Sequence, residues 1–268
     1  MNTNIKHFNP IFVEATTLDD VWFRLLWHLF DKGRRYQITE GSYAGRERLA
    51  FDDVSGFIHH PHTRPLAPII TDPSIPPPTT DDEIEHYFTN YLMDSNLEAN
   101  EDYRYSTFIV GGEYELPYGS MLCNISNSAK NYWHIVAPTS VQVPNQIQWV
   151  IDHFKKKGFG NEHCYITIGY PESLQAYDIP YTNENERKTS PCLRGLGFRV
   201  VDGYMLTKVI YRSWDLVSGF PTNMGGFALL NEYVAYELGI KPGPLSFSCS
   251  SLHAYDHAYD YLKLRIGK

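Results

Sequence analysis

The four cysteines of this 268-residue chain, Cys123, Cys164, Cys192 and Cys249, are widely spaced and form no Cys-x-x-Cys pair. That spacing argues against a structural zinc knuckle. It also argues against a disulfide framework, because a chain this long can bury its own apolar core. No run approaches the roughly 18 apolar residues that span a bilayer. The opening Met1-Asn2-Thr3-Asn4-Ile5-Lys6 lacks the apolar stretch of a signal peptide. Positive charge is scarce as well: 23 Lys and Arg face 31 Asp and Glu, for a formal net charge of -8. That balance excludes wholesale wrapping of a nucleic-acid backbone, though a small anionic ligand needs only a few local cations. No Walker loop, no Rossmann glycine fingerprint and no internal repeat is found. The expectation is a soluble, cytoplasmic protein with neither membrane nor nucleic-acid partner. There thiols stay reduced and a free cysteine can serve as a nucleophile.

What the chain has in plenty is aromatic surface: 15% of residues, with 20 Tyr. Such side chains suit flat, partly polar pockets as well as cores. Apolar spacing predicts a first helix capped by Thr17 and stopped at Gly33, with Val21, Trp22, Leu25, Leu26 and Leu29 facing inward. Strands are predicted over 38–43 and 46–58, and an extended proline-rich crossing over 59–80. A second helix opens at Asp81 and Asp82 and presents Ile84, Tyr87, Phe88, Tyr91 and Leu92 on one face. The stretch 103–140 reads as strands and loops. A third helix covers about 145–157, with lysines in its last turn. Strands follow at 164–170, 197–201 and 205–211, the last two joined by an Asp202-Gly203 hairpin turn. A fourth helix is predicted from Asn223 to Leu238, a strand over 245–249 and a short helix over 256–266. This mixture of elements predicts one α/β (α+β) domain covering residues 1–268.

Chemistry is concentrated towards the C-terminus. Cys192 follows Pro191 in a polar loop just before a strand, and a thiolate is a strong nucleophile where a cation lowers its pKa. Arg212 and Ser213 fall at a strand end, where a guanidinium fork and a hydroxyl can bind phosphate; the alternative is an Arg212–Asp215 ion pair. Asn223 follows a tight turn. Its amide either caps the helix or reads a base, since a carboxamide matches the N3–H and O4 of uracil. His253 and Tyr255 share one face of an extended segment and can hold a sugar hydroxyl. His59-His60-Pro61-His62 reads as a surface loop rather than a metal site, for no carboxylate or cysteine lies at ligand spacing.

In order, these signals are specific. Ser190-Pro191-Cys192, then Tyr211-Arg212-Ser213-Trp214-Asp215 running through Gly219-Phe220-Pro221-Thr222-Asn223, then His253-Ala254-Tyr255, resemble the C-terminal half of thymidylate synthases. The match is dense from about 187 to 257. Leu193 after the cysteine and the compact N-terminal half look more like the archaeal-type branch. The resemblance implies a large mixed β-sheet with flanking helices and a homodimer built by stacking sheet on sheet. It implies methylation of dUMP to dTMP through a Cys192 adduct. The one-carbon donor would be 5,10-methylenetetrahydrofolate or a tetrahydromethanopterin analogue, with no metal. By position, Arg212 and Ser213 would bind the 5′-phosphate, Asn223 the uracil edge, and His253 and Tyr255 the sugar 3′-hydroxyl. Asp215 would contact the pterin or keep its site in shape. Tyr105 would position the water that removes the C5 proton, and Glu85 stands as the candidate catalytic glutamate.

This chain departs from the family pattern at several points. No arginine occurs at Gly160-Asn161-Glu162-His163, where the family's phosphate-binding pair would fall; Arg46, Arg48 and Arg64 are the candidate substitutes. Ser251 replaces the Asp of the Asp-x-His-x-Tyr motif, and Leu193 replaces the His after the cysteine. Two alternatives stay open: a pyrimidine-nucleotide 5-hydroxymethylase on the same scaffold, and a non-catalytic nucleotide- or RNA-binding regulator.

Overall fold

The computed structural model describes residues 8–40, 43–72, 74–94, 96, 103–116, 140–177 and 190–267. Cys123, the first seven residues and the strands expected within 117–139 lie outside them. The described chain builds a mixed α/β architecture around a six-stranded sheet of order β1-β4-β11-β9-β8-β7. Its strands are β1 (Ile11–Ala15), β4 (Val54–Ile58), β7 (Tyr165–Thr167), β8 (Leu193–Val201), β9 (Tyr204–Tyr211) and β11 (Lys241–Cys249). A four-stranded sheet of order β10-β12-β3-β2 lies beside it, formed by β2 (Arg34–Gln37), β3 (Glu47–Ala50), β10 (Trp214–Asp215) and β12 (Leu252–Tyr255). A two-stranded ribbon pairs β5 (Gly112–Glu115) with β6 (Ser140–Val143). β8 and β9 form the expected hairpin. Asp202 and Gly203 both adopt positive φ, 51° and 80°, as a two-residue turn matched to strand twist requires.

The helices cover one face of the large sheet. α1 (Leu18–Lys32) carries the expected Thr17 cap, whose side chain accepts from the Asp20 amide, and buries Leu18, Val21, Trp22, Leu25, Leu26 and Leu29. α4 (Gln146–Lys157) buries Ile147, Val150, Ile151 and Phe154 and ends in three lysines, where cations meet the negative end of the helix dipole. α5 (Phe220–Leu238) lies on β9 and β11, and α1, α2 (Asp81–His86) and α4 pack around it. Gly225 and Gly226 permit that crowding. A Cβ at 225 would come 2.7 Å from Ile84, and one at 226 would come 2.5 Å from Tyr87. Buried Asn231 ties α5 to the sheet by donating to the Met205 carbonyl (2.8 Å) and accepting from the Gly243 amide (3.1 Å). α6 (Tyr259–Ile266) closes the described chain.

Four expectations shift. The second helix begins as α2, with a Thr80–Glu83 capping box, but widens into a π-helical turn over Tyr87–Leu92. The strand predicted over 38–43 forms earlier, as β2, and Ile38 instead enters a turn with Arg46. Tyr105, expected among strands and loops, opens the short helix α3 (Tyr105–Ile109). α5 starts at Phe220 with Gly219 as its N-cap. Asn223 is therefore inside the first turn and does not cap.

Candidate active site

Three strand ends deliver the chemistry to one place. Leu193, the first residue of β8, pairs with Tyr211, the last of β9, so the residues just outside both strands are neighbours. The Arg212 amide donates to the Cys192 carbonyl at 3.0 Å. β10 then runs parallel to β12 and sets Asp215 beside His253, with Tyr255 two residues on. Trp22 of α1 anchors the loop behind them through a buried indole hydrogen bond to the Leu216 carbonyl, 2.8 Å.

Cys192 is half-buried, whereas Cys164 and Cys249 are buried. Burial holds the Cys192 thiol above its ordinary value, and the guanidiniums of Arg212 and Arg194 offset part of that rise. Arg212 is held rigidly. Its Nε donates to the Pro191 carbonyl (3.2 Å), and its Nη2 donates to the Ser190 carbonyl (2.8 Å) and to the Tyr177 hydroxyl. The ion pair with Asp215 does not form. Asp215 instead accepts from the Val217 amide (2.8 Å) and the Ser218 hydroxyl (2.6 Å), fixing the turn that leads into α5. Ser213 sits half-buried between β9 and β10.

Asn223 Oδ1 accepts from the Trp214 indole N–H (2.8 Å) and the Tyr211 hydroxyl (3.3 Å). An indole N–H only donates, so the amide orientation is fixed with oxygen inward and Nδ2 outward. The expectation that both ends of the amide meet a base narrows to its donor end. His253 is 2% exposed. Its Nδ1 bonds the Ser251 carbonyl at 3.0 Å, which places the proton there and leaves Nε2 an acceptor. Nε2 is buried with no partner among the described residues. Burial, more than the neighbouring Arg48 charge, lowers the His253 pKa. The Tyr255 ring stacks on Tyr43 at 4.3 Å and meets His253 edge-on at 4.9 Å.

Tyr105 belongs with this cluster: its hydroxyl accepts from the Leu193 amide at 3.3 Å. Its ring joins an aromatic wall of Tyr87, Tyr91, Tyr103, Tyr211 and Trp214 in which Tyr211 and Trp214 stack at 3.8 Å. The π-helical turn supplies two of these rings, as such turns often do at functional sites. Glu85 is exposed on α2, and no contact draws it to the cluster. Two of the candidate substitute arginines are engaged elsewhere, Arg64 with Glu232 (2.9 Å) and Arg46 with Asp256 (2.8 Å).

Sequence reading missed Tyr177 and Arg194. The Tyr177 hydroxyl lies 3.3 Å from the Ser190 amide and 3.4 Å from its carbonyl, bracing the residue two before Cys192. Nothing in the pattern around Tyr177 signals this. Arg194 stands two residues after Cys192, and that proximity to a candidate nucleophile was a usable signal.

A cleft of about 300 Å³ borders the cluster, lined by Pro76, Pro77, Pro78, Asp215, Tyr255 and Tyr261 among others. Proline and tyrosine faces beside a loop-fixed carboxylate suit a flat, partly polar ring system such as a pterin. A larger cleft of about 720 Å³, near His59, His62 and Pro242, lies away from Cys192. Two of the histidines there are engaged, His59 with Glu14 (2.7 Å) and His62 with Glu232 (3.2 Å). Among the described residues no group of three or more His, Cys, Asp or Glu is placed to hold a metal ion. No described helix is long and apolar enough to cross a membrane.

Comparison with known proteins points to one family. The family model for thymidylate synthase matches residues 87–268. A provisionally named thymidylate synthase of Methanococcoides burtonii is 33% identical over 255 residues, covering 94% of this chain and 92% of the relative. One from Methanosarcina mazei is 23% identical over 253 residues, with the same coverage. The thymidylate synthase of varicella-zoster virus matches a shorter stretch, 29% over 124 residues, 46% of this chain and 38% of the viral protein. A family match over residues 87–268, with near full-length archaeal relatives, places the chain in the thymidylate synthase family, on its archaeal branch.

Proposed function

We propose that this protein methylates C5 of dUMP, giving dTMP, with Cys192 as covalent nucleophile. The observation that carries the reading is the position of Cys192: half-buried at a strand end, in the field of two guanidiniums, with Tyr105 hydrogen-bonded to the next residue. Cys192 Sγ, as thiolate, adds to C6 of the pyrimidine. The electrons of the C5–C6 double bond move onto C5 and O4, so C5 becomes a carbon nucleophile. The outward Nδ2 of Asn223 donates to O4, where negative charge grows, and so assists the step as well as reading the base. Cytosine carries an amine at that position, which a donor rejects.

Arg212 and Ser213 hold the 5′-phosphate. His253 Nε2 accepts from the sugar 3′-hydroxyl, with Tyr255 beside it. C5 bonds the donor's one-carbon unit. A water on the Tyr105 hydroxyl then takes the C5 proton as the bond from that carbon to the pterin nitrogen breaks. Hydride from the reduced pterin reaches the resulting exocyclic methylene as the C6–Sγ bond to Cys192 breaks and the C5–C6 double bond re-forms. A reduced folate or related pterin, bound in the cleft of Pro76–Pro78, Asp215 and Tyr261, supplies the one-carbon unit and the reducing hydride. The family fold also supports a homodimer joined through the large sheet.

The deciding experiment is tritium release from dUMP labelled at C5, with methylenetetrahydrofolate or its methanopterin counterpart as donor. Release accompanied by a product heavier by one methylene supports the reading. Release with a hydroxymethyl product assigns the protein to hydroxymethyl transfer. No release with any donor leaves a nucleotide-binding regulator.

A further inference from the structure

The family's phosphate-binding arginine pair has no counterpart at 160–163, yet the Cys192 loop is flanked by two arginines of its own chain. Arg212 donates to the Ser190 and Pro191 carbonyls. Arg194 approaches the same loop from β8, its Nη1 3.4 Å from Ser190 Oγ. It sits where the β8–β9 register shifts between Leu193 and Gly195. A strand irregularity of this kind re-aims one side chain without disturbing its neighbours.

The surroundings make room for that guanidinium. Gly169 has φ of +80°, and a Cβ there would come 3.0 Å from Arg194 Nη1 and 3.3 Å from Ser173 Oγ. Ser173 and Ser190 meet Oγ to Oγ at 3.2 Å in a buried pair. Among the described residues no carboxylate lies within ion-pair distance of either Arg194 or Arg212, although other arginines such as Arg24, Arg35, Arg46, Arg64 and Arg265 have one. Two half-buried cations converging on one serine repel each other, and an anion bound between them relieves that repulsion.

We propose that Arg194 is a second phosphate-binding residue, completing with Arg212 a two-arginine site within one chain for the dianionic 5′-phosphate of a pyrimidine nucleotide. The assignment rests on the nucleotide reading above, and its test is independent of turnover. A forked guanidinium on each side of the phosphate satisfies both negative charges, which a single arginine cannot do.

The test is equilibrium binding of dUMP and of deoxyuridine to the wild-type protein, Arg194→Gln and Arg194→Lys, by calorimetry without donor. Arg194→Gln should weaken dUMP about 30-fold and change deoxyuridine less than about twofold. Arg194→Lys, which keeps the charge but loses the fork, should fall between and retain the wild-type melting temperature. Equal losses for dUMP and deoxyuridine, or no loss in either variant, overturn the proposal. So does a variant whose only change is the pH profile of Cys192 alkylation, since Arg194 would then serve the thiol alone. If wild-type protein binds dUMP by its phosphate yet releases no tritium, the methylation reading fails and the phosphate site stands.

Discussion

Two sulfurs lie close together at one end of the six-stranded sheet, and only one is fit for chemistry. Cys249 ends β11 and pairs in register with Tyr211; Cys192 precedes Leu193, which pairs with Tyr211 from the other side. Both feel the positive field of Arg212. Yet burial pushes the Cys249 thiol up to about 12, and it is 1% exposed. Cys192 is half-buried, has Arg194 as a second cation, and sits on a loop braced by Tyr177 and Arg212. A nearby cation does not make a nucleophile. Access for substrate and an aimed backbone do.

The comparison breaks most easily at the sulfurs themselves. Cys192→Ala should reduce C5 tritium release by at least about 10⁴-fold while leaving the melting curve nearly unchanged. Cys249→Ala should do the reverse: a rate within about threefold of wild type and a stability loss of ~1–2 kcal/mol, read from denaturant midpoints. If Cys249→Ala is the inactive variant, the two roles have been assigned backwards.

The next largest effect belongs to Asn223, whose inward oxygen is held by Trp214. Asn223→Asp keeps that acceptor and turns the outward donor into a second acceptor. kcat/KM for dUMP should fall about 100-fold, with dCMP turnover or adduct formation gained in exchange. An unchanged ratio of the two nucleotides would remove Asn223 from base reading.

Much of this contrast was legible in the sequence, and the reason is physical. Cys192, Arg212, Ser213, Asp215, His253 and Tyr255 lie in strands and turns whose spacing is set by hairpin and strand geometry, and Asn223 follows in the first turn of α5. The alternation of Met205 to Tyr211 fixed where β9 would end, and therefore where Arg212 would emerge. Tyr105 needed the family pattern, because nothing local shows that its hydroxyl will meet the Leu193 amide from far along the chain. Glu85 rests on the family pattern alone, and it stands exposed on α2 beside buried Ile84, before the π-turn begins at Tyr87. Tyr177 escaped because its role depends on the short 3₁₀ segment Pro171–Tyr177, which has no compositional signature, and Arg194 because a register shift re-aims it, its place two residues after Cys192 being the one signal in the sequence.

Reactivity sharpens the comparison further. Only the thiolate alkylates, so iodoacetamide labelling of the native protein should increase with pH at Cys192 first. Cys164 and Cys249, with thiols pushed by burial to about 11 and about 12, should stay unlabelled until the protein unfolds. Arg212→Gln removes the larger of the two cationic pulls on Cys192, which moves its thiol further up. At pH 8 its labelling should slow by roughly three- to tenfold, followed by peptide mass mapping. Labelling of Cys249 at the same rate as Cys192 would contradict the difference in access.

His253 offers the finest test, because it is sealed as tightly as Cys249 yet keeps one open valence. Its Nε2 lone pair has no described partner, so a substrate 3′-hydroxyl that reaches it satisfies a buried acceptor. A dUMP analogue lacking that hydroxyl should bind about fivefold more weakly to wild-type protein, and no more weakly than dUMP to His253→Ala. The pH dependence follows from the lowered pKa. The folded histidine stays neutral below the ordinary value of about 6.5, whereas the unfolded chain takes up its proton there. His253 therefore contributes stability in full above that pH, and the contribution is lost as pH falls towards the folded value. Urea midpoints at pH 7.5 and 5.5 should differ less for His253→Gln than for wild type. Selectivity for the 3′-hydroxyl should persist through pH 6.5 and collapse only where the buried ring finally charges, because an imidazolium has no acceptor left to offer. Collapse at 6.5 itself would mean that His253 opens to water in solution, and the distinction between sealed and accessible groups would then have to be redrawn.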